Sequence, residues 1–233
     1  MEVDPAWLAL ALVNYVIWVT FPVLYFFVES IAPLLLTIVA SVIGLLGVAT
    51  SSGLAYFVYS LVNVRNQHFA REQALLMEGL RLAKGNTPQG NLRALIPLDS
   101  ASQSLQTLVH EEGEKSAVLL ALLVLIPYFG MMVLIFILAT LSKDMRKHES
   151  REEMVLDDLD RSVRESSLLP LVRRSGFIPR RQVAVFVLAS VLTLGAFTLF
   201  WLYLAIEDFR PHFEYHARFE PSLLSTLSRV SPS

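Results

Sequence analysis

Apolar and charged positions are segregated along this chain. Four runs carry no Asp, Glu, Lys, Arg or His: 6–28, 31–62, 117–142, and one of about 24 residues that opens at Val183. About 20 apolar residues suffice to cross a bilayer core as a helix, so each run is long enough for one crossing. The second is about 32 residues and must tilt, bend or project into water. Trp7, Tyr25, Phe26 and Phe27 lie near the ends of the first run, at headgroup depth. The pattern predicts an all-α integral membrane bundle of about four transmembrane helices with helical extensions into water.

Between the runs the period changes. In 63–84, Phe69, Leu76, Leu80 and Ala83 recur at helical spacing among charges, which predicts that the second helix continues into water. Gly85-Asn86-Thr87-Pro88-Gln89-Gly90 is breaker chemistry. Pro97, a cap at Asp99 or Ser100, and Leu105, Leu108 and Val109 predict a short amphipathic helix up to Glu114. Stretch 143–182 is the most charged, with a helix expected over Arg146–Ser166 that Pro170 ends. The organisation is thus a helix pair over 1–62, an amphipathic loop over 63–116, a third helix over 117–142 and a charged loop over 143–182. A fourth helix and its exit follow over 183–213, and the tail over 214–233 keeps Tyr215, His216 and Phe219 and is expected to be poorly ordered at its end.

Two topologies fit. Four crossings place the 143–182 loop on the cytoplasmic side, because Lys143, Arg146, Lys147, Arg173, Arg174, Arg180 and Arg181 crowd the membrane ends. Arg173, Arg174, Arg180 and Arg181 would face anionic headgroups. Re-entrant hairpins in the third and fourth runs are the alternative, turning at Pro127-Tyr128-Phe129-Gly130 and Thr193-Leu194-Gly195 and putting every Lys and Arg on one face. The four-crossing arrangement is preferred, since a turn at depth needs protein cover.

Composition narrows the function classes. Apolar residues make up 54%, charged residues 17%, and mean hydropathy is +0.53. A net charge of −2 offers no general attraction for nucleic acid. The absence of cysteine excludes disulfides, zinc ribbons, iron–sulfur sites and a thiol nucleophile. The acidic start, Met1-Glu2-Val3-Asp4, lacks the positive charge of a signal peptide, so the first run is expected to stay as an anchor. Gly44, Gly47, Ser51 and Gly53, with Gly195 in the fourth run, form small-residue faces suited to close helix packing. The alternative use of that face is a solute-lining groove.

One motif repeats. Asp144-Met145-Arg146-Lys147-His148 and Asp208-Phe209-Arg210-Pro211-His212 both read Asp-φ-Arg-x-His as the chain leaves an apolar run, 64 positions apart. At an offset of 144, His68-Phe69 also matches His212-Phe213, with Val64 in place of the Asp. Duplication competes here with chance similarity among apolar runs. Asp144 with His148, and Asp208 with His212, fall at i and i+4, where the carboxylate can orient the imidazole. The plainer reading is a surface cap. His110-Glu111-Glu112 with Glu114 lacks the second histidine of a zincin, and Asp157-Asp158-Leu159-Asp160 lacks the spacing of a calcium loop, so both read as solvated faces.

The fourth run, Thr193-Leu194-Gly195-Ala196-Phe197-Thr198-Leu199-Phe200-Trp201-Leu202-Tyr203, resembles the Thr-x-Gly-φ-Tyr-x-φ-Tyr-Trp-φ-Tyr pattern of domain-of-unknown-function family 4234, small prokaryotic multi-pass membrane proteins. Phe197 and Phe200 replace the usual tyrosines, and the likeness covers about 35 residues. It implies a prokaryotic membrane protein and brings no catalytic residues.

The sequence assigns no catalytic residue, no metal ligand and no cofactor. The expected function is a non-enzymatic accessory or scaffold subunit, multi-pass in the cell membrane. Its partners would be the lipid bilayer and other membrane proteins or copies of itself, with no nucleic acid. The alternative is a facilitative channel or carrier for a small neutral solute.

Overall fold

The computed structural model describes residues 6–29, 33–88, 90–126, 129–165, 176 and 178–228; these form seven helices and no strand. They are α1 (Ala6–Glu29), α2 (Pro33–Asn86), α3 (Leu92–Glu111), α4 (Ala117–Val124), α5 (Phe129–Glu165), α6 (Val183–Leu192) and α7 (Ala196–Ser228). The all-α expectation holds. Among the described residues, α1 and α2 alone are long and apolar enough to cross a membrane. At ~1.5 Å per residue the 54 residues of α2 reach about 80 Å, so its apolar half ends near Val62 and the rest projects beyond.

Helices α1 and α2 run antiparallel. Trp7 stacks near Phe57 at one end, with ring centroids 5.3 Å apart, and Trp18 Nε1 donates to Ser51 Oγ nearer the other. Between them the buried Asn14 amide donates to Thr50 Oγ1 (3.1 Å) and Ser51 Oγ (2.8 Å). Such bonds are how apolar helices gain register where burial of apolar surface gives little drive.

The third and fourth runs fold back on themselves. The α4 segment is 8 residues long and α6 is 10, about 12 and 15 Å of helix. Lys115, ahead of α4, lies 3.3 Å from Asp144 on α5, and Arg181, ahead of α6, donates to Asp208 on α7 at 2.7 Å. A straight crossing would hold each pair about 40 Å apart. The described residues thus give two helices long and apolar enough to span a membrane and two hairpins, and four spanning helices are not shown. Run length counts residues and is blind to direction.

Each turn has local chemistry. A Cβ on Gly130 would sit 2.3 Å from the Val124 carbonyl oxygen, so only glycine fits there. At the second turn Leu194 (φ 51°) and Gly195 (φ 96°) are left-handed, the Gly195 amide closes onto the Ser190 carbonyl at 2.7 Å, and Thr193 Oγ1 accepts from the Phe197 amide at 3.0 Å. The two tips touch, with a Cβ on Gly195 2.7 Å from Met131 Cγ. They meet α1 and α2 around a cavity of about 120 Å³ lined by Asn14, Trp18, Ser51, Gly130, Met131 and Leu194.

One further expectation changes, and the tail is described to Ser228. Helix α3 begins at Leu92, capped by Asn91, whose side chain accepts from the Ala94 amide at 3.3 Å. Asp99 pairs with Lys84 and Ser100 donates to Asp158, so neither caps it. The tail is helical to Ser228, because Phe219 and Leu223 bury against α2, α3 and α5. Pro211 does not end α7; it sits on the exposed side.

Two apolar cores result. One joins the long helices to the hairpins through Leu54, Val58, Leu134, Leu138, Trp201 and Leu202; the other joins the projecting ends through Leu76, Leu98, Leu108, Leu159 and Leu223. A polar layer separates them.

Candidate metal centre

The layer is built from three helix exits. Helix α2 contributes His68 and Glu72, α5 contributes His148 and Glu152, and α7 contributes His212 and His216; all six are buried. Each pair is spaced i, i+4, so both side chains leave the same face of their helix. The helices continue through these stretches, in α7 with Pro211 inside the helix just before His212.

The donor atoms converge. One ligand atom from each of His68, Glu72, His148 and His212 lies within 4.8 Å of the others, and so do those of Glu72, Glu152, His212 and His216. Glu72 is central: its Oε2 is 3.4 Å from His68 Nε2, 3.4 Å from His148 Nε2 and 3.2 Å from His216 Nδ1. His68 Nε2 faces His212 Nε2 at 3.1 Å. His216 Nε2 is 3.3 Å from Glu152, yet neither of its ring nitrogens makes a hydrogen bond of good geometry. Buried imidazoles that crowd nitrogen against nitrogen around one carboxylate oxygen are arranged like ligands around a shared cation.

Outer carboxylates hold the rings. His148 Nδ1 lies 3.0 and 3.1 Å from the two oxygens of Glu112, which leaves Nε2 to face the centre. Gln73 donates to the same carboxylate at 3.3 Å. Glu149 lies 3.8 Å from His212 Nδ1 and accepts from the Ile178 amide at 3.2 Å, tying the segment before α6 to the layer. Carboxylates behind histidines in this way fix tautomer and ring orientation at metal sites. Beside the layer, the Phe69 ring stacks on His148 at 4.1 Å and Phe213 packs edge-on to His68 at 4.7 Å. Arg65 lies over Phe69.

Electrostatics follow the neighbours. Burial opposes a charged His148, but hydrogen bonds to Glu112 and Glu72 outweigh it and push its pKa up to about 10. Burial likewise opposes charge on His216, whose pKa is raised by Glu152, while burial dominates at His212 and lowers it. Two nearby imidazoles pushed in opposite directions mark a site of strained protonation.

The sequence-predicted residues divide. His148 and His212 of the repeated motif reach the centre, but their aspartates do not hold them. Asp144 accepts from Arg65 (3.1 Å) and pairs with Lys115; Asp208 pairs with Arg181. Arg146 donates to the Arg181 carbonyl at 3.0 Å, and Arg210 donates to Glu207. Glu112, expected on a solvated face, is buried against His148, whereas His110 is exposed. Gly47 and Gly53 do lie at a helix contact: a Cβ would be 3.0 Å from Trp18 and 2.5 Å from Leu10 respectively. Ser51 is buried there, and Gly44 faces nothing within 4 Å. Arg180 is exposed; Arg173 and Arg174 lie outside the described residues. Glu72, Glu152 and His216 were not singled out as ligands, although each stands four positions after a repeated histidine.

Fold and site together define a class: an all-α bundle with a buried histidine–carboxylate layer where its apolar helices end. No family model, curated protein or solved structure matches the chain. The likeness of the fourth run to family 4234 therefore remains a sequence expectation.

Proposed function

We propose that this chain is an integral membrane metalloprotein that binds a divalent transition metal where its helices leave the bilayer. The observation that carries the reading is the convergence of three i, i+4 pairs, His68/Glu72, His148/Glu152 and His212/His216, within one buried layer. Mixed imidazole and carboxylate donors suit zinc, iron, manganese or cobalt. Every donor residue is buried, and Phe69 and Phe213 cover the membrane side. A closed set of ligands fits a metal that clamps the exits together, which accords with a non-enzymatic scaffold or accessory subunit. The open face at Gly44, flanked by exposed Leu45 and Val48, is then available to lipid or to a partner helix.

A second reading, metal-dependent catalysis, is favoured by one observation. A narrow crevice lined by Leu61, Arg65, Met145, Phe209, Arg210 and Phe213 ends at the Phe213 ring that touches His68.

The metal test is element analysis of protein purified in mild detergent. The wild type should carry bound metal, and His148→Ala and His212→Ala should lose it. Equal, negligible metal in all three would contradict the proposal. The membrane part proposes that α1 and α2 cross while both hairpins dip in from the charged side. Because the chain has no cysteine, single cysteines at Gly85 and Arg161 can be labelled cleanly, and both should react from the same side. Opposite sides would overturn the hairpin topology.

A further inference from the structure

Within the metal-binding reading, on which this inference rests, the layer holds more ligands than one ion can use. A four-coordinate ion is completed by His68, Glu72, His148 and His212. That leaves Glu152 and His216 buried and paired with each other at 3.3 Å, with His216 Nδ1 3.2 Å from the far side of the cluster at Glu72. The second set, Glu72, Glu152, His212 and His216, shares two members with the first. Shared members are what two adjacent ions require.

Charge points the same way. Four carboxylates are buried in and around the layer: Glu72, Glu112, Glu149 and Glu152. Ligating histidines are neutral, so the layer carries four negative charges. Nearby cations form their ion pairs outside the layer, Arg65 with Asp144, Arg71 with Glu220, Lys147 and Arg151 with Glu111, and Arg210 with Glu207, while Arg65 also acts on Glu112 and Arg71 on His68 from a distance. Two divalent ions would supply four positive charges against these four carboxylates. Buried charge without compensation is strongly unfavourable.

We propose that the centre is dinuclear, with the Glu72 carboxylate bridging two divalent transition-metal ions. His68 and His148 serve the first ion, Glu152 and His216 the second, and His212 sits between. Ions in such pairs lie about 3.5–4 Å apart, close enough for their electrons to couple through a shared carboxylate. Glu112 and Glu149 stay outside as the carboxylates that orient His148 and His212.

The experiment loads chelator-stripped, detergent-purified full-length protein with Mn²⁺, removes unbound ion by gel filtration, counts manganese per chain and records the electron paramagnetic resonance spectrum. Two ions per chain with an exchange-coupled spectrum are expected. His216→Asn should fall to one ion with an uncoupled six-line signal, and Glu72→Gln should lose the coupling. One ion per wild-type chain, or two that do not couple, overturns the dinuclear proposal and leaves metal binding intact. No tightly held ion overturns metal binding as well. The wild-type count and spectrum decide the matter even if a variant does not fold.

Discussion

The two apolar cores and the layer between them use the same three helices by opposite means. In the cores, α2, α5 and α7 meet through side chains such as Leu138, Leu202 and Leu159, each worth about 1.5–3 kcal/mol on burial and tolerant of modest change. In the layer those helices bring together four histidines and three glutamates, joined by Glu112 from the end of α3, groups whose burial costs several kcal/mol per uncompensated charge. Apolar packing could have continued through this level at no such cost. A layer that sacrifices stability in the middle of two good cores is where function is expected.

The comparison is broken most sharply at His148. His148→Ala removes a central ligand and leaves Glu72 and Glu112 facing one another without their shared partner. The expected loss is about 3–5 kcal/mol, read as a drop in thermal unfolding temperature in detergent, together with loss of metal. Leu159→Ala in the adjacent core should cost a similar ~2–5 kcal/mol through a cavity while metal content per folded chain is kept. If both variants lose metal alike, the layer and the core are not separate devices.

A smaller effect sharpens the membrane half. Gly53→Leu must displace Leu10, since even a Cβ there lies 2.5 Å from it, and should cost about 1–3 kcal/mol by overpacking. Gly44→Leu should be silent for the lone chain, because nothing lies within 4 Å. A loss of assembly on native gels with Gly44→Leu, at unchanged stability, would identify that face as a partner contact.

The smallest effect belongs to the hairpin clasp. Arg181→Ala removes the pair with Asp208, but the Arg181 side chain is 34% exposed, and pairs near the surface contribute about 0–1 kcal/mol. A shift of a degree or two in unfolding temperature is expected. A collapse of the fold would mean that the clasp, and not apolar packing, holds the second hairpin.

The helices were legible because apolar periodicity is local. The second hairpin turn was legible too, at Thr193-Leu194-Gly195, and so was Gly130 of the first, whose Pro127 and Tyr128 lie outside the described residues, but run length outweighed them. The deciding facts, Lys115 beside Asp144 and Arg181 beside Asp208, are contacts across 27–29 positions that spacing cannot show. The repeated histidines announced the site: His68, His148 and His212 are equivalent places on three exits. The aspartate that precedes each of His148 and His212 binds arginine, and the partners in the layer stand four positions after each histidine, at Glu72, Glu152 and His216. Reading each histidine as the start of an i, i+4 pair would have found all six. Glu112 comes from the end of α3, 36 positions from His148, and has no local signal.

X-ray absorption at the edge of the metal carried by the protein as isolated tests the centre most directly. The account predicts a nitrogen/oxygen shell, at about 2.0–2.1 Å if the ion is zinc, with the outer-shell scattering of several imidazole rings, and loss of that imidazole pattern in His148→Ala. A spectrum without imidazole scattering, or one unchanged by His148→Ala, would contradict it.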